Sequence, residues 1–484
     1  MPSVRRSLLL SLADSYLGLV LQLAATVIVS RLLMPAEVGV FAIAAVFAAV
    51  AGTVRDFGVG EYLIQERKLS RQHIRAALAL NIIVSWGMAL LLVAAAPLAA
   101  DFYREPGVAR VMAVQALGLL LVPFGAVIHA WFRRELDYRP IVIGNALSNV
   151  ASFIATVSLA LLGFGYMSLA WSSFVGIVVS VSAINWLRPK GFPLIPGTKG
   201  LGHAFHFGRF AGAVYIVAQI GKGAPELLIG RARGATDVGL FSRAGGLVEL
   251  FNRLATRPVM QVCMPYFARA RRESGSVLPA YLNSVSLLTA VGWPFLGCLV
   301  VVAWAAIRIV YGPNWMAAVP LAQVLCLAGA IELLFMPSRE ALLACGEARR
   351  ANALQLQIVA LQVAGLAAVF PFGPAGACWG LAVAALGGAM LSQWHLGRRI
   401  GLRVGELLRA CGPSAALTAL TVAPLAIASG IRPPDEANYI DWAVFGAAAA
   451  ALSWLAGLWL LRHPLRDELL ALWRRIGRRR QVSP

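Results

Sequence analysis

The chain has 484 residues, of which 59% are apolar and only 13% charged, with a mean hydropathy of +0.75. Soluble globular domains carry about a quarter charged residues, so this composition excludes one and indicates an integral membrane protein. The formal net charge of +20 does not point to nucleic acid, and no such partner is expected: the bases cluster at the ends of apolar runs, where membrane topology and anionic lipid head groups account for them.

The apolar runs are about 20 residues long, rich in Ala, Leu and Gly, and lack strand alternation, so they predict spanning helices rather than barrel strands. Fourteen are expected, centred near residues 19, 48, 87, 118, 151, 178, 219, 248, 291, 327, 361, 385, 421 and 450. The first run follows Arg5 and Arg6, is interrupted by Asp14, and reads as a retained helix rather than a cleaved leader. An even number of spans puts both termini on one side. Of the 42 basic residues, 32 fall on that side, seven on the other and three within spans, which predicts cytoplasmic termini. No loop on the opposite side exceeds about fifteen residues. Beyond the last span, residues 464–480 put Leu465, Leu469, Leu472, Trp473 and Ile476 on one face with arginines opposite, the pattern of a helix lying in the membrane interface.

The chain is read as duplicated. Residues 230–241 (GRARGATDVGLF) echo residues 30–41 (SRLLMPAEVGVF) at an offset of 200, and Tyr103, Gln115, Phe164, Gly165 and Trp171 recur as Tyr311, Gln323, Phe372, Gly373 and Trp379 at an offset of 208. Six helices separate the copies, so each begins on the same side, giving two parallel six-helix lobes. The expected division is residues 1–208, residues 209–400, and residues 401–484 holding two added helices and the basic tail. The fold class is all-α, with the lobes arranged around a central cavity.

Charges inside the apolar runs concentrate between Gly208 and Arg257. A charge at the middle of a membrane helix costs about 2.5–3.5 kcal/mol on insertion scales and so usually faces a partner or a polar cavity. Lys222 and Glu226 are four apart on one helix, as are Glu249 and Arg253 on the next, so each can pair along its own face. Arg243 has no acid three or four positions away, and a guanidinium left over in a membrane interior suits a phosphate group. Gly221, Gly223 and Pro225 predict an interrupted helix of the kind that exposes backbone to a transported substrate. At the repeat offset Lys222, Glu226 and Arg243 correspond to Gln22, Thr26 and Ile43. The expected binding groups are therefore Lys222, Arg243, Arg253, Glu226 and Glu249, with Tyr16, Gln22 and Thr26 from the first copy. Asp14 and Glu332 are candidates for a coupling ion or proton, or for structural roles.

Other chemistry is not indicated. Six cysteines are spread singly, and His203 and His206 sit in a predicted loop without further ligands, so neither disulfides nor a metal site is expected. No Gly-Lys-Ser/Thr phosphate loop occurs, and no cofactor is expected.

Arg31 to Gly39 (RLLMPAEVG), Asp56-Phe-Gly-Val-Gly followed by Leu63 to Arg67 (LIQER), Phe102 to Pro106 (FYREP) and Phe132 to Tyr138 (FRRELDY) give the chain a family likeness. It resembles the Wzx-type lipid-linked oligosaccharide flippases, in the polysaccharide transporter branch that includes the colanic acid exporter. That branch lies within the multidrug/oligosaccharidyl-lipid/polysaccharide (MOP) superfamily. The resemblance runs from about residue 5 to residue 400. It implies two lobes around an alternately opening cavity, and an oligosaccharide on undecaprenyl pyrophosphate moved from the cytoplasmic to the periplasmic leaflet of a bacterial inner membrane. Membrane lipids and the polysaccharide polymerase and export machinery are the implied partners. Two alternatives stay open: a cation-coupled multidrug exporter of the same superfamily, which should have a more acidic cavity, and a membrane enzyme of glycan assembly, which should have a catalytic loop or a His/Asp constellation. Neither feature is in the sequence, which points to a non-enzymatic transporter.

Overall fold

In the computed structural model, described for residues 4–56, 59–66, 69–197, 201–369 and 372–470, the chain is all helical. It divides into two compact units, Met1–Gly239 and Leu240–Pro484.

The first unit opens with α1 (Val4–Leu32) and α2 (Pro35–Arg55). α2 starts where Pro35 takes the first helical position and Glu37 folds back to accept a 2.8 Å hydrogen bond from the Met34 N–H. The short α3 (Val59–Gln65) is followed by α4 (Arg71–Tyr103), which Ser70 caps through the His73 N–H and which ends at Arg104 in the left-handed region, φ 56°. Next come α5 (Pro106–Leu121) and α6 (Pro123–Arg134), joined at a 50° bend. Pro123 causes the bend, because it brings no N–H to the preceding turn. Polar side chains supply donors beside it: Trp86 Nε1 donates to the Leu120 carbonyl at 3.1 Å, and Asn185 Nδ2 to that of Phe124 at 3.1 Å. α7 (Arg139–Leu161) and α8 (Met167–Trp186) form a tight hairpin closed by Gly163 and Gly165, both at positive φ. α9 (Leu201–Arg233) packs on α2 and α4.

α9 corrects two expectations. It runs unbroken through Gly221, Gly223 and Pro225, and His203 and His206 fall within it rather than in a loop. Gly223 is a packing residue: a Cβ there would come within 2.3 Å of Val46 on α2.

α10 (Ala235–Phe251) straddles the division, with its first turn in the first unit. In the second unit it passes through a π turn (Asn252–Thr256) into α11 (Arg257–Ser274). α12 (Leu278–Val310), a 3-10 turn (Pro313–Ala318) and α13 (Val319–Glu332) follow. The short α14 (Ser338–Ala344) leads to α15 (Ala348–Ala368) and α16 (Gly373–Ile400). These last two cross at Gly365 and Gly380, where a Cβ on either would meet the other's carbonyl oxygen within 2.8 Å.

α17 (Val404–Ile431) and α18 (Tyr439–Leu460) dock on α12. Hydrogen bonds fix that docking: Thr289 Oγ1 to Ser414 Oγ at 3.0 Å, buried, and Trp454 Nε1 to the Ala290 carbonyl at 2.9 Å, half-buried. His463, fully buried after α18, places Nε2 3.1 Å from Ser414 Oγ, while its Nδ1 accepts from the Leu465 N–H at 3.1 Å. The amphipathic tail expected at residues 464–480 lies outside the described residues beyond 470.

Each of the fourteen expected helix centres falls in a separate helix. The expected count of fourteen spans is not reached on length and apolarity, which among the described residues are met by eleven helices, or twelve with the bent α5–α6 pair. α10, at 17 residues before its π turn, is not among them. The protein is a multi-pass membrane protein.

Candidate functional site

In the first unit the bend between α5 and α6 helps to open a cavity of about 620 Å³ among α1, α2, α3, α4, α6, α7 and α8. Its walls mix apolar residues with polar ones. Asp14 reaches it from α1, Arg55 and Asp56 from the end of α2, His129 and Arg133 from α6, and Asn145 from α7. Asn145 Nδ2 donates to Asp14 Oδ2 at 2.9 Å, whereas Asp14 Oδ1 is buried without a hydrogen-bond partner. Arg55 and Asp56 pair at 2.5 Å. The lining charges are therefore two carboxylates and two guanidiniums, Arg133 being the second.

Asn145 belongs to a stripe along α7. Asn145, Ser148, Asn149 and Ser152 recur at helical spacing, and each meets a neighbour: Ser148 Oγ donates to the Gly176 carbonyl at 2.8 Å, Ser152 Oγ to that of Ser172 at 3.2 Å, and Asn149 lies against Gly18. Polar groups at i, i+3, i+4 and i+7 in a membrane helix must face protein or a cavity; here Asn145 faces the cavity and the other three face neighbouring helices.

The expected groups of the first unit are dispersed. Tyr16 and Gln22 are exposed on α1, and the Thr26 hydroxyl donates to the Gln22 carbonyl at 2.8 Å. Of these and Asp14, only Asp14 lines the cavity. Lys222 is exposed on α9. It does not bridge to Glu226, whose Oε2 is buried without a partner, so the expected pair along that face is absent.

In the second unit the Glu249–Arg253 pair forms as its spacing predicts, at 3.2 Å, and Arg257 also bonds Glu249. Arg253 stands in the π turn, a helix irregularity common at functional positions. Arg243 lies against two rings, its guanidinium carbon 5.7 Å from the centre of Tyr311 and 5.6 Å from that of Trp315. Arg243 Nε is buried without a hydrogen-bond partner. Both rings lie within cation–π range of the guanidinium, and no carboxylate forms an ion pair with it among the described residues. The repeat explains the placement, for Ile43 and Tyr103, the equivalents of Arg243 and Tyr311, lie together against Gly230 in the first unit. Glu332 is half-buried as the last residue of α13, away from any ion pair among the described residues. No cluster of metal-ligating side chains occurs among the described residues.

A model of the family described as polysaccharide biosynthesis protein matches residues 28–320. The chain is 29% identical over 309 residues to the teichuronic acid biosynthesis protein TuaB of Bacillus subtilis, the match covering 63% of this chain and 62% of TuaB. It is 26% identical over 310 residues to the succinoglycan biosynthesis transport protein ExoT of Rhizobium meliloti, with 63% and 62% covered. The matches thus span somewhat less than two thirds of these relatives' own length. Among solved structures, the lipid II flippase MurJ in an inward closed conformation superposes with a TM-score of 0.73 at 12% identity, over 92% of this chain and 97% of MurJ. An inward-facing multidrug resistance MATE transporter of the MOP superfamily gives 0.60 at 14% identity, over 79% and 95%. The fold is theirs.

Proposed function

The chain belongs to the polysaccharide biosynthesis protein family, and from that premise we propose that it is a flippase for lipid-linked oligosaccharide. It carries repeat units on undecaprenyl pyrophosphate from the cytoplasmic to the periplasmic leaflet of the inner membrane, by alternating access, for a surface polysaccharide. Relatives named for teichuronic acid and succinoglycan biosynthesis, one of them as a transport protein, support the substrate class. The fold shared with a lipid flippase supports the mode of action. No enzymatic step is part of this reading. Both termini are cytoplasmic in it.

The observation that carries it is Arg243. A guanidinium with Tyr311 and Trp315 beside it and its Nε buried and unpartnered is a costly arrangement unless an anion completes it. A pyrophosphate does so, offering oxygens that a guanidinium can grip in its own plane. Arg253, held by Glu249 in the same unit, adds a second charge. A cavity for cationic drugs would call for the opposite sign.

The test is the sidedness of lipid-linked oligosaccharide in cells lacking the protein, probed with a glycosidase that cannot cross the membrane. Accumulation on the cytoplasmic face, relieved by the intact protein but not by Arg243→Ala, is expected. Normal sidedness with raised sensitivity to cationic drugs would replace the flippase with a drug exporter.

A further inference from the structure

The cavity in the first unit is chemically unlike the surroundings of Arg243. Its charged lining cancels: Asp14 and Asp56 against Arg55 and Arg133. A site for pyrophosphate needs surplus positive charge, and this one has none. What it offers instead, set among apolar residues, is acceptors and donors on planar groups: a carboxylate, an amide, an imidazole and a guanidinium. Those groups suit vicinal hydroxyls, each of which both gives and accepts a hydrogen bond. At about 620 Å³ the space falls within the roughly 300–1,000 Å³ typical of small-molecule sites. Among its acceptors, Asp14 Oδ1 is buried without a partner although Oδ2 of the same carboxylate is held by Asn145 at 2.9 Å. One oxygen is thus fixed in place and the other is left to bind.

We propose that this cavity binds the first sugars of the transported glycan as an uncharged polyhydroxyl ligand, with Asp14, Asn145 and His129 as the recognising groups. The proposal rests on the flippase reading and adds to it a sugar-binding site separate from the cationic one. Asp14 Oδ1 accepts from a sugar hydroxyl. Asn145 orients that carboxylate and uses its remaining amide hydrogen and its carbonyl on the ligand. His129, one helical turn from Arg133 on α6, lines the cavity from a different helix than Asp14 and Asn145. The 50° bend at Pro123 places His129 there, because α6 departs from the line of α5 at that point.

The experiment compares two lipids on the purified protein in detergent by native mass spectrometry: undecaprenyl pyrophosphate alone, and undecaprenyl pyrophosphate bearing the host's oligosaccharide. The intact protein should bind the glycan-bearing lipid about tenfold more tightly. Asn145→Ala and, separately, His129→Ala should bring that ratio close to one. The affinity of each variant for undecaprenyl pyrophosphate alone, read in the same experiment, reports that it has folded. A ratio that both variants preserve overturns the proposal. So does a ratio that survives in Asn145→Ala while a sodium or pH dependence of binding disappears, since Asp14 and Asn145 would then hold a coupling ion. If the intact protein binds neither lipid, the flippase reading itself falls. If it binds both equally, only the sugar site falls.

Discussion

Gly39 on α2 and Gly239 on α10 meet backbone to backbone. A Cβ on Gly39 would lie 1.7 Å from the Ala235 carbonyl oxygen, and one on Gly239 would lie 1.9 Å from that of Pro35. The contact is reciprocal, and the two glycines hold equivalent places in the repeated Pro35–Gly39 and Ala235–Gly239 segments. The two copies of this motif pack on each other as matching surfaces.

Because the obstacle on each side is backbone, no rotamer change can relieve it. Gly39→Ala and Gly239→Ala should each destabilise by at least the roughly 1–3 kcal/mol of a core overpacking substitution. The midpoint of thermal unfolding in detergent should fall clearly for both. Gly52→Ala on the same helix, where a Cβ would meet nothing within 4 Å, should hold or raise it.

Arg134 ends α3. Its NH1 donates to the carbonyls of Leu63 and Glu66, both at 2.6 Å, and so supplies donors that the end of a short helix lacks. Arg134→Ala should leave both acceptors wanting, at a cost of about 1–3 kcal/mol. Amide hydrogen exchange over residues 59–66 should speed up while that of α4 is unchanged. Equal protection in the variant would show that α3 stands without its cap.

Arg243→Lys keeps the charge but loses the plane. An ammonium cannot lie flat against Tyr311 and Trp315 and still present two N–H groups to a phosphate. The variant should fold, since the ring contacts are worth about 0.5–2 kcal/mol, yet lose most oligosaccharide translocation in the sidedness assay. Full activity of the lysine variant would reduce the site's requirement to charge alone.

His463 introduces a pH dependence outside the spans. Burial holds its pKa below the usual 6.5. Its Nδ1 accepts from the Leu465 N–H, so a proton there would face another donor. The neutral form therefore stabilises the junction between α18 and the tail above pH 6.5. That contribution should be lost progressively as pH falls below it towards the lowered value. The Leu465 amide should exchange faster at pH 5 than at pH 7.5, after correction for intrinsic rates. His463→Asn should weaken the difference.

Long apolar runs made most of the fold legible, and the fourteen centres each found a helix. The short elements were not, because α3, α6 and α14 are set by a cap or a proline rather than by hydrophobic length, and α11 was missed because it is amphipathic with four arginines. The site was legible only where it is local. Glu249 and Arg253 pair because four residues bring them to one face, whereas Lys222 and Glu226 share the spacing and do not pair: the acid turns inward and the base outward. The neutral cavity escaped because Asp14, Asp56, His129 and Asn145 come from four helices and no spacing joins them. Only the α7 stripe hinted at it.

The π turn at Asn252–Thr256 amounts to one residue more than an α-helix needs. At 3.6 residues per turn, each residue advances a helix by about 100°. The π turn absorbs that residue locally, so deleting Leu254 would wind the turn into regular helix and leave α11 facing as it does, with Phe267 still against Tyr281, whereas a deletion within regular helix would swing the following side chains about a quarter-turn around the axis. A chain with the same packing but no such turn must be one residue shorter here. Alignments of relatives can be searched for that single-residue gap as a mark of which members share this bend in the path.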